Sequence, residues 1–358
     1  MTEIIITPLV VPSHAQDPDG AEFRRMIDLG NQLARIDAGI DDLDETAEQL
    51  LPFWHDQTDR IRAGFIARRG TEIVGAADLS VQRAAGTTAA EIGLMALPDQ
   101  LRRGVGQALL AHAERDALAL GCTVLQTWSM HPASPTGRTL IPTTGWGRVG
   151  ATSLSDVLEA AGYVLEQVER NSVLALDGPR DLAERRLREA EAFAGPDYRV
   201  VTWTLPTPPH LRAGYGAMIS RMATDVPSGD LETQVEVWDE ERVARRDARI
   251  IAGGQTLSVA AVIHTPTGST AAFNELVIGS DHEGVTHQWG TLVVGEHRGK
   301  RLGTIVKCAN LLRWHEIAPR SPRISTFNAE ENRPMLDINE AIGFVPASYA
   351  GGWQKRLR

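Results

Sequence analysis

The sequence predicts an α/β (α+β) fold of two tandem domains, each a mixed, mostly antiparallel sheet flanked by helices. Three observations carry that expectation. A short apolar run leads into a basic, glycine-containing turn and then an amphipathic helix, and this happens twice, about 200 residues apart; a pattern repeated at domain spacing implies a repeated domain. The copies are Glu91-Ile-Gly-Leu-Met-Ala-Leu-Pro-Asp-Gln-Leu-Arg-Arg-Gly104-Val-Gly106-Gln-Ala-Leu-Leu110 and Gly290-Thr-Leu-Val-Val-Gly-Glu-His-Arg298-Gly-Lys-Arg301-Leu-Gly303-Thr-Ile-Val306. Ahead of each copy stand alternating apolar runs separated by turn residues, the pattern of an antiparallel meander. Between the halves lies a strongly charged stretch with Ala and Leu among the charges, which reads as an exposed linker helix. A chain of 358 residues is long enough for two such cores. The expected divisions are 1–177 for the first domain, 178–196 for the linker and 197–358 for the second.

In the first half a strand is expected at 4–11 and helices at 21–36 and 46–56. Strands at 63–69, 73–81 and 90–97 follow, separated by turns such as 69–71 and 85–87. After Gly104, the residues Val105, Leu109, Ala113, Ala117 and Leu120 recur on one helical face, and Gly121 ends the helix. A strand at 122–127 comes next, then a Pro/Gly-rich loop over 131–150. Trp128, His131 and that loop are placed to cover a cleft as a lid. A short helix at 153–161 and β-prone runs at 162–166 and 172–176 complete the half. Pro179 stands near the start of the linker helix and Gly195-Pro196 after its end.

The second half repeats the order. A strand is expected at 198–204 and helical material at 210–223 and 236–246. Strands are expected at 249–252, 258–264, 271–277 and 285–294. The helix after the second glycine turn buries Leu302, Ile305, Val306, Ala309 and Leu312. A strand at 323–328, a helix at 332–341 stopped by Gly343-Phe344, and a β-prone tail close the chain.

Composition bounds the function. The chain is 42% hydrophobic and 23% charged, with a net charge of -10. That balance argues against a nucleic-acid binder, which needs a basic face. An acidic surface favours a cationic or amine substrate. Cys122 and Cys308 lie outside any metal-ligand spacing and read as buried free thiols of a cytoplasmic protein, with no metal expected. The first residues lack a basic n-region and read as a strand, and no apolar run approaches the ~20 residues that span a bilayer. A tight turn between a strand and a helix start aims backbone N–H groups at one point, where the helix dipole adds positive charge. A pyrophosphate is the natural guest of such a turn. Neither turn has the P-loop pattern, and no βαβ unit supports a Rossmann reading.

The element order and the motifs resemble the GNAT fold, the GCN5-related N-acetyltransferases. The family's acyl-CoA motif is Arg/Gln-x-x-Gly-x-Gly/Ala. Leu101-Arg-Arg-Gly104-Val-Gly106 keeps both glycines and replaces the leading Arg/Gln by Leu101. Arg298-Gly-Lys-Arg301-Leu-Gly303 keeps the leading Arg and the last Gly and replaces the first Gly by Arg301. Asn328-Ala-Glu-Glu-Asn332-Arg-Pro-Met-Leu-Asp-Ile-Asn339-Glu-Ala-Ile-Gly343-Phe344 looks like the family's segment ending in Gly-Phe. The resemblance spans nearly the whole chain, similar to actinobacterial tandem GNAT proteins.

The resemblance implies acetyl-CoA as acyl donor and a small amine as acceptor, with no nucleic-acid or membrane partner. The exposed tail could pair with a second copy as a homodimer. The donor site would use the backbone of Val293, Val294 and the turn Arg298, Gly299, Lys300, Arg301, Leu302, Gly303 and Thr304, with Asn328 and Asn332. In the first half it would use Ala96, Leu97, Arg102, Arg103, Gly104, Val105 and Gly106. The Arg301 guanidinium is a further phosphate ligand. Candidate general bases are Glu91, Glu275 and His287, the last titrating near neutral pH. The position of the family's acidic Tyr holds Asn339 in the second half and Leu158 in the first; Tyr349 is an alternative proton donor. Asn332 has Ala151 as its first-half counterpart. These differences assign the chemistry to the second domain, by direct transfer. They also motivate the alternative of a non-catalytic acyl-CoA-binding or assembly protein. A longer acyl or an aminoacyl donor would keep the same fold.

Overall fold

The computed structural model describes residues 3–84, 86–135, 137–178 and 180–357. Ala85 and Pro179, named above in a turn and at the linker helix, lie outside these residues. The first half contains β1 (Ile4–Pro8), α1 (Ala21–Ala38), α2 (Ala47–His55), β2 (Arg60–Arg69), β3 (Glu72–Gln82) and β4 (Ala89–Met95). It continues with α3 (Pro98–Arg102), α4 (Val105–Ala119), β5 (Val124–Pro132), the two-residue strands β6 (Thr139–Leu140) and β7 (Val149–Gly150), α5 (Ser153–Ala160) and β8 (Val164–Ala175). The linker helix is α6 (Asp181–Ala194). The second half contains β9 (Tyr198–Thr204), α7 (Pro209–Asp225), α8 (Glu240–Ala252), β10 (Thr256–His264), β11 (Ser269–Ile278) and β12 (Thr286–Val293). It ends with α9 (Leu302–Ile317), β13 (Arg323–Ala329), α10 (Arg333–Ile342) and β14 (Val345–Arg356).

Local chemistry sets the boundaries that matter for the site. Thr46 and Gln49 form a reciprocal capping box at the start of α2. The Asp239 side chain caps α8 by accepting from the Arg242 N–H. Gly343, at φ 108, ends α10 in a backbone shape that few other residues tolerate. Two expectations are corrected. Residues 249–252 are the last turn of α8 rather than a strand: Val243, Asp247 and Ile250 share one buried face, and the β-branched pair Ile250-Ile251 had suggested a strand. The runs at 162–166 and 172–176 are one strand, β8; its centre carries Gln167 and Asn171, polar but buried because β8 lies in mid-sheet.

All main strands join one sheet in the order β1-β2-β3-β4-β5-β14-β8-β13-β12-β11-β10-β9. The meanders are antiparallel, and the pairs β4/β5 and β12/β13 are parallel. The last strand of each half is exchanged. β14 pairs with β5 from Ser348↔Pro132 to Arg356↔Val124, and β8 pairs with β13 from Arg323↔Ala175 to Ala329↔Glu169. Each half's sheet is therefore completed by the other half. Trp353 of β14 is part of the first half's core and donates to Ser129 Oγ at 2.7 Å. Helix α4 buries Val105, Leu109, Ala113 and Ala117 in that core. On the other side, α9 lies between the second half's strands and α6, with Ile305, Val306, Cys308 and Trp314 buried.

Candidate active site

The strands β12 and β13 pair only at Thr286↔Ile324, His287↔Ser325 and Gln288↔Thr326, and then separate. On its other edge β12 changes register against β11, so Trp289 and Gly290 stand opposite the single residue Glu275. Only glycine fits at 290: a Cβ there would lie 2.8 Å from the Phe273 ring. A buried polar chain fixes this bulge. Asn274 Nδ2 donates to Gln288 Oε1 (3.1 Å) and Thr291 Oγ1 (2.9 Å), and Gln288 Nε2 donates to Thr326 Oγ1 (3.0 Å). Asn310 of α9 donates to Asn274 Oδ1 at 2.8 Å, tying the helix to the bulge. In the first half, β3 and β4 pair from Ala76↔Met95 to Val81↔Ala90 with no such shift.

The second glycine turn ends at this opening. Gly299 (φ 77) and Arg301 (φ 59) are left-handed and α9 begins at Leu302. Among the described residues, no protein acceptor takes the N–H of Gly299, Lys300, Arg301, Leu302, Gly303 or Thr304. Six donors on one turn at a helix start form an anion-binding nest. The Arg298 side chain braces the turn by donating to Val293 O (3.3 Å) and Asp225 O (3.1 Å). The Arg301 guanidinium lies 4.4 Å from the Phe193 ring centroid on α6, so its side chain is turned towards α6 and the backbone N–H is what remains for an anion. Gly303 serves packing, since a Cβ would meet Ile338 of α10 at 2.8 Å. Val294 N–H is spent in the sheet, on Ala271 O at 3.1 Å, whereas Val293 lies beyond the last β12/β13 pair.

Beside the opening, Asn339 bridges two groups. Its Nδ2 donates to Asn328 Oδ1 (2.7 Å) and its Oδ1 accepts from Lys307 Nζ (2.8 Å). Lys307 is fully buried, and burial pulls its ammonium down to about 7. Asn332 starts α10 without a capping bond from its side chain. Lys307 was not anticipated; the available signal was a lone lysine among the apolar positions of α9. Tyr349 pairs with His131 and Arg170, in the sheet between β5 and β8.

A cavity of about 1000 Å³ lies where the two halves meet at the β12/β13 opening. His287, Gln288, Trp289 and Phe327 line it from the second half. Residues of α1, α2 and the segment between them, with Arg62, Asp78 and Met95, line it from the first. Burial lowers the His287 pKa against the pull of Asp42, so its neutral, proton-accepting form is favoured. Glu275 is 2% exposed and occupied: it accepts from the Tyr215 hydroxyl, from Arg246 Nη2 (2.9 Å) and from Gly290 N–H (3.2 Å). It holds the bulge, and of the candidate bases only His287 reaches the cavity. Glu91 is exposed on β4 near Arg60, 3.4 Å away.

The first glycine turn differs. Helix α3 takes up its leading part, with Arg103 N–H donating to Gln100 O (3.0 Å) and Gly104 N–H to Leu101 O (3.1 Å). Among the described residues the N–H groups of Val105, Gly106 and Gln107 remain without a protein acceptor, half the number in the second turn. Ala96 is buried and Leu97 O accepts from Gln100 and Leu101, so this strand end is folded into α3. Arg102 donates to Ser153 Oγ (3.3 Å), and Leu158 is core. The second half's α7–α8 connection packs on the first half at the paired end of β4 and β5. Glu232 Oε1 accepts from Thr88 (2.7 Å), Glu232 O from Gln126 (2.9 Å), and Glu236 accepts from Gln82. His131 is not part of a lid. It is fully buried, with Nδ1 donating to Gly150 O (2.7 Å) and Nε2 accepting from Ser129 Oγ (2.7 Å), and burial lowers it to about 4.

Comparison with known proteins bears on the fold. Residues 31–135 match the Acetyltransferase (GNAT) family. The chain superposes on a tandem GNAT protein from the clavulanic acid biosynthesis pathway, solved without acetyl-CoA, with a TM-score of 0.73 and 23% identity over 99% of this chain and 98% of that one. A GCN5-related N-acetyltransferase from Sphaerobacter thermophilus gives a TM-score of 0.59 and 14% identity over 99% and 96% of the two chains. No curated protein matches in sequence. The fold is thus a tandem pair of GNAT domains.

Proposed function

We propose that this chain, a tandem GNAT protein, is an acyltransferase that moves an acetyl group from acetyl-CoA to a small amine at the β12/β13 opening of its second domain. The family match and the tandem fold support acyl transfer as the reaction class. The observation that carries the choice of domain is the second turn's six unoccupied N–H groups, set beside an opening that leads into a cavity. The first turn offers three.

The residues divide the work. The N–H groups of residues 299–304 hold the pyrophosphate, and the helix dipole of α9 assists. The Val293 backbone, past the last β12/β13 pair, is available to a thioester carbonyl. When bound, the donor supplies the acetyl group as a thioester; the amine becomes an amide and the thiol is released. His287 accepts the amine's proton, directly or through a water, and the departing thiolate takes its proton from solvent. The second reading, a non-catalytic acyl-CoA-binding protein, draws on Asn339, which stands where the family's phenol is expected and cannot usefully donate a proton.

Thiol release with a panel of small amines tests the reading. Turnover well above the hydrolysis background is expected. Because the His287 pKa is lowered, the acid limb of kcat/KM should fall below the ordinary value of 6.5. His287→Gln should reduce kcat by roughly 10²–10⁴ and remove that limb. Acetyl-CoA binding without turnover of any amine would favour the second reading.

A further inference from the structure

Inside the interdomain cavity, three ionisable side chains of the first domain face one another: Glu45 between α1 and α2, Arg62 on β2 and Asp78 on β3. Among the described residues, none of the three makes an ion pair or a hydrogen bond to another side chain. The other lining carboxylates are occupied. Asp44 pairs with Arg35, Glu48 accepts from Gln16, and Asp281 Oδ1 accepts from the Glu283 (3.1 Å) and Gly284 (3.3 Å) N–H groups. Glu45 is an exposed residue among those that line the cavity. Asp78 lies over Gly93, whose missing side chain leaves it room; a Cβ there would lie 1.9 Å from Asp78 Oδ1.

Asp78 accepts a backbone hydrogen bond from Gly93, but two carboxylates against one guanidinium leave a negative charge without a cationic partner. Desolvation raises both acids, with added repulsion from Asp78 on Glu45 and from Glu91 on Asp78, which rises to about 6. Such a charge is costly unless a cation joins it. The nearby walls at Phe53, Trp54, Trp289 and Phe327 are aromatic and suit a hydrocarbon spacer. His287 stands on the second-domain wall.

We infer that this cavity binds a small amine bearing a second cationic group, with that group held by Glu45 and Asp78 and the reacting amine presented to His287. The inference rests on the acyl-transfer reading for the role of His287 and on the cavity's own charges for the rest. The acceptor site is then built from both domains, and the first domain reads the substrate.

The full chain is assayed with acetyl-CoA and 1,4-diaminobutane, butylamine or 4-aminobutyrate. 1,4-Diaminobutane is also titrated directly into the protein by calorimetry. The diamine is expected to exceed both other acceptors at least tenfold in kcat/KM. Glu45→Gln and Asp78→Asn should each cut its kcat/KM about tenfold, through KM, and weaken its calorimetric binding in proportion. Thermal midpoints of the variants equal to or above that of wild type establish that folding is intact. A preference for 4-aminobutyrate that disappears in Arg62→Gln would overturn the inference, assigning the cavity to an anionic group. Turnover of all three acceptors alike, unaffected by either carboxylate variant, would overturn it while leaving acyl transfer standing. Diamine binding that is weakened in Glu45→Gln without any acetyl transfer would uphold the cavity and sink the acyl-transfer reading.

Discussion

Lys307 shows how one residue can carry a cost that the fold keeps. Its ammonium is fully buried, and its one side-chain hydrogen bond among the described residues goes to Asn339. Burial lowers its pKa to about 7 from the ordinary 10.5, opposed only by the neighbouring Cys308 thiol. Between those values the unfolded chain holds the proton that the folded chain has lost, so this group makes stability rise with pH across the window. Below about 7 both states are charged and the penalty is complete. Lys307→Met keeps the volume and removes the charge. Its thermal midpoint relative to wild type should be highest near pH 6.5 and decline towards pH 9.5; a pH-independent difference would contradict a depressed lysine. The sequence motif pointed to Asn328, Asn332 and Asn339, but not to Lys307, because the motif records the residues near the donor and not what packs behind them.

At the scale of elements, the two glycine turns look alike in sequence and differ in what their backbones leave free. A short helix, α3, uses up the first turn's leading donors, whereas the second stays open for six. The Arg and Gly positions of the motifs were legible; the donor count was not, because it depends on whether the residues before the turn coil. The bulge in β12 was also invisible. It follows from Gly290 lying against Phe273 and from the buried Asn274–Gln288–Thr291 contacts, which join separate strands. Gly290→Ala places a methyl group against the Phe273 ring and should cost about 1–3 kcal/mol in urea unfolding. Because Gly290 N–H also donates to Glu275, the same variant should lower acetyl transfer. Full activity and full stability together would show that the bulge has no part in shaping the opening.

Across the whole molecule, the exchange of β8 and β14 makes each domain depend on the other. Alternation along the chain revealed the repeated strand order, and the order of strands within each half followed from it. The exchange did not follow, because β8 and β14 are both final strands and sequence pattern does not say which neighbour each will choose. Trp353 in the first half's core is the clearest consequence. Residues 1–196 and 197–358 expressed apart should each lack cooperative thermal unfolding, while the intact chain unfolds in a single transition. Cooperative unfolding of either half alone would show that the exchanged strands are dispensable. The same arrangement packs the second domain's α7–α8 connection beside the starts of β4 and β5 and places the second domain's opening at the interdomain cavity.

The central claim, one working donor site in the second domain, is tested most directly by calorimetric titration of the full chain with acetyl-CoA. The account predicts a stoichiometry near one, with affinity reduced at least tenfold by Lys300→Glu on the second turn and unchanged by Arg103→Glu on the first. A stoichiometry near two, or binding lost in Arg103→Glu and kept in Lys300→Glu, would contradict it.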